Sequence, residues 1–431
     1  MRYTPLSSAF HSKNRKNFYK HLKPNSLVIL QSNDILPTNA DGHMGFRQQN
    51  DLLYLTGIDQ EETILILFPD SPVQEWKEIL FIKETSEQIK IWEGYKLTKE
   101  EAKAQSGISQ VRWNSEFKGM LQALMNLAEN VYLATNEHPR AVVELETRND
   151  RLIKEIKALF PLHNLERLAP IMEVLRAIKS QEEVAQISRA IEITKEGFEA
   201  VLKATKPGVM EYELEAEFIY QFVKRGSKGF AYGPIIASGP NANILHYNDN
   251  DKACEDGHLI LIDVGAEYGN YNADMTRCIP VNGKFSPRQR QVYDAVLRVM
   301  KESVNLLKPG TTLVEYEKKV GKIMERELIG LGLLTTENVE KQDPEKPLYK
   351  KYFMHGTSHH LGLDVHDLGS KYRFLEAGMV FTCEPGIYIP EEGLGIRLEN
   401  NFLVTETTPI DLMASIPLEA DEIEKIMQAK S

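Results

Sequence analysis

Apolar residues fall into short unbroken runs in the first third of the chain and into helical spacing after it. Leu27–Leu30, Thr63–Phe68, Ile79–Ile82 and Val131–Ala134 are runs of strand length without polar alternation, the signature of strands buried on both faces. Charged stretches of helical character, such as Lys99–Ala104, separate them. Strands alternating with helices predict an α/β domain over residues 1–174. The period changes at Ser180. Ser180 and Glu183 have the spacing of a capping box, and Val184, Ile187, Ile191 and Phe198 then recur at helical intervals until Lys206-Pro207-Gly208 stops the helix. A second helix is expected from Glu211 to Lys224.

The same order of signals returns downstream. Ser286-Pro287 reads as an N-cap with proline at the first helical position, opening a helix to Leu307. Lys308-Pro309-Gly310 ends it, 102 residues after the first such stop, and Val314–Ile329 follows as a further helix. Glu-Tyr-Glu comes after each stop, at Glu211–Glu213 and Glu315–Glu317, and a strand-rich stretch follows each helix pair. Residues 175–431 therefore form a second, α+β domain built from a duplicated helix–helix–strand–strand unit.

Length agrees with this division, since 431 residues exceed one ordinary compact domain. A net charge of -11 argues against a broad nucleic-acid surface, which needs clustered Lys and Arg. No run of 18 apolar residues and no leader-like opening segment occurs, so no membrane association is expected. Cys254, Cys278 and Cys383 are too few and too irregularly spaced for a disulfide framework or a zinc finger, and a cytoplasmic location is the plain expectation.

The chemistry lies in two acidic pairs, each set about a turn. Asp263 interrupts the apolar strand Leu259–Val264, and Asp274 lies on the strand returning after Gly269-Asn270. Their midpoint falls between Tyr268 and Gly269, which in a simple hairpin places them opposite each other. Glu384 and Glu399 repeat the arrangement about Glu391-Glu392. A carboxylate buried alone is costly, and facing like charges destabilise a strand pair unless something positive lies between them. Six of the eleven histidines lie between residues 246 and 366, four of them within His355–His366. Four carboxylates with one imidazole form a hard, oxygen-rich donor set. It suits Mn²⁺, and after it Co²⁺ or Zn²⁺, and is large enough for two divalent ions.

On these residues the chain resembles the pita-bread metallopeptidases, and among them the Xaa-Pro aminopeptidases. The strings that carry the resemblance are Ile-Asp-Val-Gly at 262–265, His-His-Leu-Gly-Leu-Asp-Val-His-Asp at 359–367, Glu-Pro-Gly-Ile-Tyr at 384–388 and Gly-Ile-Arg-Leu-Glu at 395–399. Phe46–Gly57 extends it into the N-terminal domain, although that string also reads as no more than strand and turn packing. The resemblance implies a pita-bread fold for the second domain, with Asp263, Asp274, His359, Glu384 and Glu399 as ligands of two ions. It implies that a water shared by those ions attacks the peptide carbonyl, with Glu384 exchanging the proton. His246 and His366 are then the outer histidines that bind substrate and intermediate, and His355, Tyr388 and Arg397 surround the proline pocket. A homodimer or higher homo-oligomer acting on peptides with proline second is the implied assembly.

Taken alone, Asp263 reads equally well as a hydrogen-bonded structural group and His246 as a surface histidine. His258 and His360 read as structural, and Cys383 as core. The nearest competing function is a prolidase, which cleaves only Xaa-Pro dipeptides. The connection of 17 residues between His366 and Glu384 lacks the insertion some prolidases carry there. A non-catalytic pita-bread binding module, a histone chaperone for example, is a third reading, which the complete ligand set opposes.

Overall fold

The computed structural model describes residues 2–429 and divides the chain into two units, Pro5–Leu175 and the first four residues with Arg176–Ser431. The first unit is built on a six-stranded sheet. Its strands are β1 (Ser26–Gln31), β2 (Ile64–Leu67), β3 (Glu78–Ile82), β4 (Gln110–Trp113), β5 (Asn130–Leu133) and β6 (Asn164–Arg167), in the order β4-β3-β2-β1-β5-β6. β1 pairs in parallel with β5 and antiparallel with β2. The four expected apolar runs are β1, β2, β3 and β5. Leu27, Ile29, Ile66, Phe81 and Val131 from these strands share one core with Leu124 and Ile156 from flanking helices. β4 and β6 lie at the two edges, and their sequences, Gln-Val-Arg-Trp and Asn-Leu-Glu-Arg, are only partly buried. An edge strand needs no apolar run, so no such run announces these two.

Phe46–Gly57 is not strand and turn. Its second half is the helix Asn50–Thr56. The Gln49 side chain accepts the Leu52 N–H at its start, and Gly57 ends it in the left-handed region at φ 72°. A Cβ at Gly57 would lie 2.4 Å from the His11 ring, so only glycine closes the helix here.

The second unit carries both predicted helix pairs. The first is Gln181–Ala204 with Glu211–Lys224, the second Pro287–Val304 with Leu313–Gly330. Ser180 and Glu183 form the expected capping box, and Ser286 with Gln289 forms its counterpart. A Cβ at Gly197 would reach Phe218 at 2.4 Å, which shows how closely the first two helices approach. After the first pair come β7 (Ile235–Ser238), β8 (Leu259–Val264), β9 (Glu267–Tyr268), β10 (Tyr271–Asn272) and β11 (Met275–Pro280). After the second come β12 (Val380–Cys383), β13 (Gly386–Ile389), β14 (Leu394–Arg397), β15 (Asn400–Leu403) and β16 (Ile410–Asp411). Each half thus holds a long antiparallel hairpin that breaks midway, β8/β9 against β10/β11 and β12/β13 against β14/β15.

The second hairpin has the expected register. Gly386 pairs with Arg397 and Cys383 with Asn400, which aligns Glu384 with Glu399 across the break. The first does not. Asp263 pairs with Thr276, and Asp274 stands two residues further along, beside Gly265. The turn is the cause: Gly269 (φ 60°) and Asn270 (φ 67°) both adopt left-handed conformations and form a two-residue loop between Tyr268 and Tyr271. Its centre is one residue later than the midpoint of the carboxylates. A register shift of two keeps side chains on the same face, so Asp263 and Asp274 remain diagonal neighbours. Among the described residues no helix is long and apolar enough to cross a membrane.

Candidate metal centre and active site

The hairpin breaks bring the acidic residues together. A ligand atom from each of Asp274, His359 and Glu399 lies within 4.8 Å of the others. Glu384 joins them through His359, whose Nε2 is 3.6 Å from Glu384 Oε1 and 3.5 Å from Asp274 Oδ2. Asp263 is tied to Asp274 by Tyr232, whose hydroxyl lies 2.6 Å from Asp263 Oδ1 and 2.5 Å from Asp274 Oδ1. Arg397 donates from its Nη2 to Asp263 Oδ2 at 2.5 Å and from its Nε to Thr276 Oγ1 at 3.2 Å, and Thr276 donates in turn to Glu399 Oε2.

The backbone fixes these positions. The Glu384 N–H donates to Thr357 O and the Glu399 N–H to Thr276 O, so the break of the second hairpin is held on one strand by a neighbouring loop and on the other by β11. Asn401 accepts the Asp274 N–H and donates to the Asp274 carbonyl, meeting hydrogen-bonding needs that the interrupted ladder leaves open. His359 is set by Thr382, which accepts its N–H on Oγ1 and donates its own N–H to the His359 carbonyl.

Three features test whether divalent cations fit. His359 Nδ1 is 3.0 Å from the His360 carbonyl, so the proton belongs on Nδ1 and the Nε2 lone pair faces the carboxylates, as a metal-binding imidazole requires. Glu399 Oε1 is buried without a hydrogen-bond partner. Burial and the neighbouring acids hold Asp274, Glu384 and Glu399 all well above the ordinary carboxylate range. Four carboxylates face one guanidinium, that of Arg397, and divalent cations would supply the missing positive charge. The residues fit the group.

A chain of hydrogen bonds leads away from this cluster in one direction. Arg397 Nη1 donates to the Tyr388 oxygen at 2.7 Å, Tyr388 donates to His355 Nε2 at 2.8 Å, and His355 Nδ1 donates to the Gly356 carbonyl at 2.8 Å. Burial, reinforced by the Arg397 charge, lowers the His355 pKa to about 3, so the ring is neutral and can accept at Nε2. Burial alone would weaken the Arg397 charge, but Tyr388 and Asp263 outweigh it and hold the guanidinium firmly protonated. His366 stands edge-on to His359 with ring centroids 4.3 Å apart. His246 lies on an exposed turn after the helical stretch Gly239–Asn243, close enough to His355 that a charge on it would further disfavour protonating that ring.

Cys383 is buried with its thiol against Tyr316, and burial raises its pKa, which agrees with a core role. His360 is buried against Phe381. Sequence reasoning missed Tyr232, Thr276 and Asn401. Tyr232 sits in Phe230-Ala231-Tyr232-Gly233-Pro234, a segment with neither helical nor strand period, and nothing in that string points to its two partners.

Residues 185–406 match metallopeptidase family M24, and residues 11–132 match the aminopeptidase P N-terminal domain. Over 98% of both chains the protein is 35% identical to an Xaa-Pro aminopeptidase of Escherichia coli. It is 31% identical to the human Xaa-Pro aminopeptidase 3, covering 94% of this chain and 81% of that protein. An aminopeptidase P of Pseudomonas aeruginosa superposes with a TM-score of 0.90 at 31% identity over 99% of each chain. Escherichia coli aminopeptidase P, solved with the inhibitor Pro-Leu, gives 0.88 at 32% identity over the same share of each. The chain therefore belongs to metallopeptidase family M24, in the branch that carries an aminopeptidase P N-terminal domain.

Proposed function

We propose that this protein is a metal-dependent Xaa-Pro aminopeptidase that removes the first residue from peptides with proline second. The observation that carries the reading is the cluster of three carboxylates, Asp274, Glu384 and Glu399, around an imidazole whose acceptor nitrogen faces them, with Asp263 joined to Asp274 through Tyr232. It lies in a chain related along its whole length to Xaa-Pro aminopeptidases.

Asp263, Asp274, His359, Glu384 and Glu399 would hold two divalent ions. The oxygen-rich donor set suits Mn²⁺ best and also accommodates Co²⁺ or Zn²⁺. When bound, such ions make water nucleophilic near neutral pH and polarise a carbonyl. The remaining steps belong to side chains of this protein. Glu384 takes the proton of the attacking water and returns it to the leaving proline nitrogen. His366, beside His359, donates to the oxygen on which charge develops, and His246 binds the substrate.

Specificity follows from what proline lacks. The amide nitrogen after the scissile bond carries no hydrogen in an Xaa-Pro substrate, so a pocket without a free acceptor there suits proline and leaves nothing unsatisfied. His355, Tyr388 and Arg397 fit such a wall, because the acceptors of their chain are already occupied. The free amino terminus of the substrate is held beside the metal-binding carboxylates, at Asp263, and the enzyme releases one residue at a time. A homo-oligomer is the assembly that the resemblance favours.

The test compares Ala-Pro-Ala, Ala-Ala-Ala and Ala-Pro before and after chelation. Preferred cleavage of Ala-Pro-Ala, lost on metal removal and restored by Mn²⁺, is the expected result. Cleavage of Ala-Pro alone would make the protein a prolidase. Equal cleavage of Ala-Ala-Ala would remove proline from the specificity.

A further inference from the structure

Tyr232 belongs to none of the hairpins that carry the acidic residues. It enters the site on a short segment between helix Glu211–Lys224 and β7, held to the first hairpin by the Ala231 N–H on the Gly265 carbonyl and by a bridge between Phe230 and Ala266. From there its hydroxyl reaches one oxygen of each of two carboxylates, Asp263 Oδ1 and Asp274 Oδ1. The other two oxygens face elsewhere: Asp263 Oδ2 to Arg397, and Asp274 Oδ2 to the acceptor nitrogen of His359.

The phenol has a single proton and donates to one of the two Oδ1 atoms at a time, and with Arg397 and His359 on the other oxygens it limits the rotation of both carboxylates. A carboxylate turns about its last side-chain bond with little resistance. Asp263 has a second anchor in Arg397, whereas the Asp274 side chain meets Tyr232 on one oxygen and the His359 ring on the other. Without the phenol, Asp274 would have to be ordered by the cation itself, at the expense of affinity. The misplaced register of the first hairpin adds to the need, because a diagonal pair is not aligned by the ladder as Glu384 and Glu399 are.

We infer that Tyr232 is a positioning residue that presets Asp263 and Asp274 for divalent cations and thereby sets the affinity of the site for them. The inference rests on the reading of these residues as a metal centre. Groups that orient metal ligands typically contribute 10–100-fold in affinity.

The experiment is titration of the metal-free protein with Mn²⁺ by calorimetry, comparing wild type, Tyr232→Phe and Tyr293→Phe. Tyr293 supplies a matched control, since its hydroxyl donates to the Leu418 carbonyl and touches no acidic group of the site. Tyr232→Phe is expected to bind Mn²⁺ about 10–100-fold more weakly, while Tyr293→Phe keeps the wild-type Kd even if its Tm falls. A wild-type Kd in Tyr232→Phe overturns the inference and leaves the metal reading standing. A wild type that takes up no Mn²⁺ overturns both. Should Tyr232→Phe fail to fold, 3-fluorotyrosine at position 232 keeps the question open to measurement. Its ¹⁹F resonance should shift on Zn²⁺ addition and saturate with the bound ion, and an unmoved resonance overturns the inference.

Discussion

In the first half of the duplicated unit Asp263 lies inside an unbroken strand, with Ile235 on one side and Thr276 on the other, and its partner Asp274 is diagonal to it. In the second half neither Glu384 nor Glu399 belongs to a strand; both occupy the break between two short ladders, in register with each other. The short side chains of the first pair, Asp263 on β8 and Asp274 in the gap between β10 and β11, are held from outside by Tyr232 and Arg397. The longer glutamates reach inward from a gap, with Thr276 and His359 as neighbours. Two halves with the same element order therefore reach one site by different routes. The difference teaches that duplication preserves which face a carboxylate occupies more strictly than which residue it opposes, because face is lost by a shift of one and kept by a shift of two.

The largest effects should separate chemistry from metal binding in the second half. Glu384→Gln removes a proton carrier that is also one of the metal-holding carboxylates, and is expected to lower kcat by about 10²–10⁴. His366→Ala belongs to neither pair and should lower kcat by about 10²–10³ while the metal content, read by elemental analysis, stays at the wild-type level. Loss of metal in His366→Ala would instead make that imidazole a ligand and end the two-pair description of the site.

Next in size is the backbone contact that the diagonal register imposes on the first hairpin. At Gly265 a Cβ would stand 1.7 Å from the Ala273 carbonyl oxygen, with no side chain able to move aside. Gly265→Ala should cost about 3 kcal/mol or more in chemical denaturation. A cost under about 1 kcal/mol would mean that the hairpin can slide, and the contrast with the second half would disappear.

The anchoring of the first hairpin should also depend on pH. The Tyr271 hydroxyl, on β10, donates to Glu183, which is buried at 3% exposure. Burial raises the Glu183 pKa from 4.5 to about 7, a rise that the Ser180 N–H, the Lys179 charge and Tyr271 only partly oppose while Asp367 adds to it. The folded state thus holds the proton more tightly than the unfolded chain. The stability this provides is complete below pH 4.5 and declines as pH rises through about 7, by roughly 3 kcal/mol in all. Glu183→Gln should flatten that decline, seen as a smaller fall in Tm between pH 5 and pH 8 than in wild type. Parallel slopes would remove Glu183 as the titrating anchor.

How much of this was legible in the sequence depends on the range of the contacts. Capping boxes at Ser180 and Ser286, the apolar runs of β1, β2, β3 and β5, and the face shared by each acidic pair are set by residues a few positions apart. The resemblance extended that reading to the spatial neighbours His359 and Arg397. Tyr232, Thr276 and Asn401 stayed hidden because their partners lie 31 to 127 positions away, and a hydroxyl or amide in an irregular segment carries no period. The edge strands β4 and β6 were hidden for the opposite reason: partial exposure removes the apolar run that would have marked them.

The smallest predicted effect concerns the turn that displaced the first register. Gly269 and Asn270 are both left-handed, whereas the second hairpin turns through Pro390–Glu392 and needs one left-handed residue, Gly393 at φ 60°. A residue with a Cβ is disfavoured there by about 1–2 kcal/mol, and asparagine escapes much of that penalty. Asn270→Ala and Gly393→Ala should therefore each lower stability by about 1 kcal/mol, although the two turns differ in length and shape. Asn270→Gly separates conformation from contact. It keeps the backbone geometry and removes the side-chain amide, which lies near 3.5 Å from Tyr3 and Lys228. A change within about 0.5 kcal/mol is expected. A loss as large as that of Asn270→Ala would mean that the amide, rather than the left-handed backbone, fixes the turn and with it the diagonal placement of Asp274.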